Sequence, residues 1–198
     1  MQFRAFEPGI EVNGQTVWAL VDGFQNKATP SRMLVEEGIG TLGPDGVVQL
    51  DREGWYSQEA WLRAFEKIFA ALGPQALFNI GQRIPENAIF PKWVDGIDSG
   101  VRSIDVAYHL NHRKAGVVMY DPQTQAMLPG IGHYRYERPH PQKPLIVVEC
   151  RNPYPCDFDR GILTAIARRF EPTASLVHLD EHRCRATGAD ACTYHVKW

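Results

Sequence analysis

The segment Cys184–Trp198, CRATGADACTYHVKW, decides how this chain is read. It carries two of the four cysteines, Cys184 and Cys192, on either side of a turn in which Gly188 is free to take the left-handed conformation that folds a short loop back on itself. After the turn, CTYHVKW alternates as a closing strand does. Immediately upstream, ASLVHLD at 174–180 reads as its neighbour, and FDRGILTAIARRF at 158–170 as an amphipathic helix. Cys156 stands where that helix begins, a position whose backbone N–H groups and dipole favour a thiolate. Thiolates are soft ligands that suit tetrahedral zinc, so Cys156, Cys184 and Cys192 form a candidate metal set. Glu181, Cys150, His178 and His182 are all residue types that zinc accepts as a fourth ligand.

Upstream the chain changes character. GVVMYD at 116–121, AMLPGIGHYRYE at 126–137 and PLIVVECR at 144–151 are extended segments separated by Pro and Gly. Before them come helical patterns: SRMLVEEG at 31–38, SQEAWLRAFEKIFAALG at 57–73, PQALFNIGQRI at 74–84 and DSGVRSIDVAYHLNHR at 98–113. IEVNGQTVWALVDGF at 10–24 alternates around Asn13-Gly14, a pair that predicts a type I′ hairpin. Helices followed by strands predict an α+β fold: an N-terminal hairpin and helices, then a mainly antiparallel sheet crossed by one helix. The expected division is an N-terminal extension over 1–45 and a ligand-binding domain over 46–198.

Composition narrows the function. Twenty-one basic against 23 acidic residues leave a net charge of −2, which supplies no general pull toward nucleic acid or an anionic membrane. Apolar runs as short as LIVV at 145–148 predict no membrane span, and the first residues lack a signal-peptide core, so a cytoplasmic location is expected. In a reducing compartment the cysteines are read as ligands or buried thiols rather than disulfides. GIGTLG at 38–43 spells a dinucleotide fingerprint, but it follows a helix instead of a strand. The basic strip GHYRYERPHPQK at 132–143 is read as solvated surface, and no Gly-x-Ser-x-Gly nucleophile motif occurs.

The C-terminal pattern of Cys156, GILTAIARRF, Glu181-x-x-Cys184 and CRATGADACTYHV resembles that of the 4-vinyl reductase-type ligand-binding domains. The sensory domains of phenol-responsive transcriptional activators belong to this group. It shares a superfamily with the heme nitric oxide/oxygen binding domains and certain vesicle-tethering subunits. The resemblance covers roughly 145–198 and implies a zinc held by Cys156, Glu181, Cys184 and Cys192, with Glu181-x-x-Cys184 and Cys-x7-Cys matching the family spacing. With four protein ligands such a zinc is structural. The heme-binding relatives use a helix histidine and a Tyr-x-Ser-x-Arg motif that grips the propionates. Here His109 is the candidate axial histidine and YRYER at 134–138 lacks the serine, so heme is set behind zinc.

Aromatic residues from facing elements supply a candidate ligand pocket: Trp61, Phe65, Phe78, Trp93, Tyr108 and Tyr134, with His109 beside them. The expected function is a non-enzymatic, sensor-type domain that binds a small apolar or aromatic molecule, self-associates as a homodimer and signals through a partner protein. The alternative is a heme or tetrapyrrole-binding gas sensor, carrier or enzyme of pigment synthesis; no nucleotide-binding motif is present to supply hydride chemistry.

Overall fold

The computed structural model describes residues 2–86 and 88–198. In chain order its elements are β1 (Ile10–Asn13), α1 (Gly14–Asp22), α2 (Ala28–Glu36), β2 (Thr41–Leu42), β3 (Val48–Gln49), β4 (Trp55–Ser57), α3 (Gln58–Leu72), α4 (Pro74–Glu86) and α5 (Ile97–Leu110). There follow β5 (His112–Lys114), β6 (Val117–Val118), β7 (Tyr120–Asp121), β8 (Ala126–Met127), β9 (His133–Glu137), β10 (Leu145–Arg151), α6 (Cys156–Phe170), β11 (Ser175–Leu179) and β12 (Cys192–Lys197). Two short 3₁₀ turns, Glu181–Arg183 and Arg185–Thr187, occupy the loop before β12. The α+β expectation holds: helices lead, and an antiparallel sheet in the order β11-β12-β10-β9 closes the chain, crossed by α6.

That sheet is one-sided by design of its sequence. Along β10, Ile146, Val148 and Cys150 are buried while alternate residues are not, and they lie opposite Val196, Tyr194 and Cys192 of β12. The period of two sends this face to the interior, and α6, whose Leu163, Ile166 and Ala167 are buried, packs on β11 and β12. α4 in turn packs on α6 at unusually close range, because Gly81 and Gly161 face one another. A Cβ on Gly81 would sit 2.1 Å from the Phe158 carbonyl oxygen, and one on Gly161 2.2 Å from that of Phe78.

The N-terminal hairpin does not form. Asn13 has φ −62°, and its side chain accepts the Gln15 backbone N–H at 2.9 Å, so it caps α1 rather than turning a hairpin. Gly14 is required for another reason: a Cβ there would lie 2.2 Å from the Asp51 carbonyl oxygen, where residues 51–54 cross the helix start. β1 instead pairs antiparallel with β4 on one side and β5 on the other, in a second sheet ordered β4-β1-β5-β6. Among the described residues no helix is long and apolar enough to cross a membrane.

Candidate functional site

Between α5, α6, the end of α4 and β9 lies an apolar cavity of about 110 Å³. α5 contributes Ile104, Ala107 and Tyr108, α6 Phe158, Ile162 and Ile166, and β9 contributes Tyr134. Trp61 of α3 closes the inner end, with Tyr154 from the turn before α6 and His112 from β5. Phe65, fully buried, backs this wall by edge contacts to Trp61, Tyr154 and Phe158 at 4.9, 5.8 and 5.2 Å between ring centres.

His112 is the imidazole among the described residues of the cavity wall. Its Nδ1 lies 2.6 Å from the Tyr108 carbonyl oxygen, so Nδ1 carries the hydrogen and Nε2 accepts the Tyr154 hydroxyl at 2.7 Å. Burial pushes the imidazole down to about 4, which keeps it neutral near pH 7. Burial likewise raises the Tyr108, Tyr134 and Tyr154 hydroxyls, leaving them as hydrogen-bond donors.

Behind Tyr134 a buried polar network begins. The Tyr134 hydroxyl donates to Asp159 Oδ1 at 2.6 Å, and Asp159 Oδ2 pairs with Arg185 at full burial of both side chains. Arg185 also donates to the Asn152 and Tyr154 backbone oxygens and to the Asn152 side chain. Its Nε and its backbone N–H both point to Cys192 Sγ at 3.4 Å. Cys192 Sγ is 3.2 Å from Cys156 Sγ, a hydrogen bond in which either sulfur can donate; that bond, with His178 and Arg185, pulls the Cys192 thiol down, and the same bond pushes Cys156 up. Gln2 adds a hydrogen bond to Cys156 Sγ at 2.8 Å.

The three sulfurs of the proposed metal set do converge. Cys156, Cys184 and Cys192 group with His178, their donor atoms all within 4.8 Å of one another. Glu181 is outside that group, exposed on the first 3₁₀ turn, as is His182; Cys150 faces Cys192 across the sheet without joining. Of the predicted pocket residues, Trp61, Tyr108 and Tyr134 line the cavity and Phe65 stands behind it. Phe78 is half-buried elsewhere under Arg160 at 5.8 Å, and Trp93 is 49% exposed on an outer groove. His109 is buried but turned away, its Nδ1 2.9 Å from the Asp105 carbonyl oxygen. Sequence reasoning missed His112, Tyr154, Asp159 and Arg185. The i, i+3 pairing of His109 with His112 was the signal for the first; a charged residue directly following Cys184 was the signal for the last.

No family model matches the chain, and no curated protein matches it. Solved structures do. An H-NOX protein from S. oneidensis in the Fe(II)NO ligation state is 16% identical with a TM-score of 0.61, covering 93% of this chain and 98% of that one. An unliganded Fe(II) H-NOX protein from K. algicida is 11% identical at 0.56, over 93% and 95%. A structure from work on modulating heme redox potential through protein-induced porphyrin distortion is 13% identical at 0.62, over 94% of each chain. These likenesses overturn the ranking of cofactors made on the sequence, which set zinc before heme: the neighbours are described with Fe(II) or heme. The zinc expectation had leaned on Glu181 completing the ligand set, and that carboxylate lies outside it, while Cys192 already has a cation beside it in Arg185. At such identities the likeness is one of architecture, and the chain has the fold of the heme nitric oxide/oxygen binding domains.

Proposed function

We propose that this chain is a sensor-type, small-molecule-binding domain of H-NOX-like fold whose ligand occupies the cavity between α5, α6 and β9. The observation that carries the reading is an apolar, aromatic-walled cavity with one neutral imidazole, His112, on its wall. The fold neighbours support heme as the first cofactor to try. In this chain His112 holds Nδ1–H on a carbonyl, the tautomer of a metal-ligating histidine, but its Nε2 lone pair is taken by the Tyr154 hydroxyl, which a metal would have to displace.

The rest of the wall does not fit a heme. YRYER is spent internally: Tyr134 on Asp159, and Tyr136 and Arg138 both on Asp98, while Arg135 pairs with Glu149 at 3.2 Å and lies off the cavity lining. Among the described residues that line the cavity there is no Lys or Arg, and about 110 Å³ is the scale of a cavity that accepts benzene. A single-ring apolar molecule is therefore the reading the geometry favours. The experiment is a paired titration of purified protein. Saturable thermal stabilisation by benzene, without a Soret band on adding hemin, is the expected result; a Soret band that His112→Ala abolishes would establish heme instead. Stabilisation by neither removes the cavity as a ligand site.

A further inference from the structure

We propose that the site has two compartments and takes an elongated, uncharged ligand, with a ring in the cavity and an aliphatic chain along the groove outside it. The inference rests on the ligand-binding reading above and departs from the heme of the fold neighbours. Outside the cavity runs a groove of about 530 Å³, and the two share walls: Thr16, Ile84, Phe90 and Ala107 face both. A molecule larger than one ring is too big for the inner space and has this continuation to run into.

The groove is built for hydrocarbon. Its floor is one face of α5, where Ser103, Val106, Ala107 and Leu110 recur at helical spacing. Its rim holds Ile89, 97% exposed, and Trp93, apolar side chains that an occupant would cover. Among the described residues no Lys, Arg, Asp or Glu lines either compartment. Of the polar side chains on the shared wall, Ser103 Oγ is engaged with the Gly100 carbonyl oxygen at 2.7 Å and Asn111 Nδ2 with that of Ala107 at 2.8 Å, while Thr16 adds only an uncharged hydroxyl. A carboxylate in the groove would lose its water and gain no cation, whereas an alkyl chain loses nothing. The ligand class is thus a neutral ring bearing a linear aliphatic chain.

The test is a calorimetric series of benzene, ethylbenzene, butylbenzene and hexylbenzene on the full chain. Affinity is expected to rise about two- to fourfold per added methylene, the gain from moving that group out of water. Leu110→Asp changes the groove but not the cavity, since Leu110 lines only the former; it should leave benzene unaffected and abolish the gain with chain length. Benzene binding that is indifferent to chain length overturns the two-compartment site and leaves the cavity reading standing. Failure of every compound to bind overturns both, and a chain-length gain that Leu110→Asp leaves intact puts the chain somewhere other than this groove.

Discussion

His112 shows how much one buried side chain sets. Its folded-state value of about 4 lies below the ordinary 6.5, so the unfolded chain binds the extra proton first as pH falls. Stability is therefore full above about pH 6.5 and declines through the window down to about 4. Between pH 7 and pH 5 the loss is about 2 kcal/mol. Urea unfolding at the two pH values measures it, and His112→Phe should flatten that difference. Arg185 makes the complementary case. Removing it in Arg185→Ala strands the Asp159 carboxylate and should cost about 3–5 kcal/mol in the same assay. The double variant Arg185→Met, Asp159→Leu removes both charges and should be less destabilised than the single one. Beyond weak local cues neither residue's role was legible in the sequence, because their partners, Tyr154 and Asp159, lie 42 and 26 positions away and only the fold brings them together. Cys156, Cys184 and Cys192 were legible, since a helix start and a glycine turn are local features; that His178 and not Glu181 stands with them depends on how the 3₁₀ turn leaves β11.

Elements were read best where one period ran long. α3 follows its pattern from the Ser57 cap, which accepts the Ala60 N–H, to Gly73 at φ 76°. The Asn13-Gly14 pair misled because two different needs select the same residues: a mirror-image turn wants positive φ, and a crowded helix start wants a capping oxygen and no Cβ. The same scarcity of space governs the α4–α6 contact. Ala in place of Gly81 presses a methyl group on the Phe158 carbonyl oxygen, which is backbone and cannot swing aside. The expected cost is about 1–3 kcal/mol, read as a lowered Tm, and Gly161→Ala should match it because the two glycines meet at one crossing.

At the scale of the molecule, segregated helices and strands pointed to the right fold class, while the coupling of the first strand to the rest was invisible. β1 sits between β4 and β5, with Ile10 opposite Lys114, and further on the Phe3 backbone N–H reaches the Pro153 carbonyl oxygen at 2.8 Å. During synthesis β1 can meet β4 early, but its other edge waits for Lys114, opposite Ile10 and about a hundred residues on, and the loop that this second pairing closes is a large entropic debt carried by the nascent chain. Ribosome-released fragments ending before His112 should leave the first strand less protected from protease than fragments that include Lys114. One edge of the first strand is thus settled only after helices α1 to α5, which lie between β1 and β5, have been made.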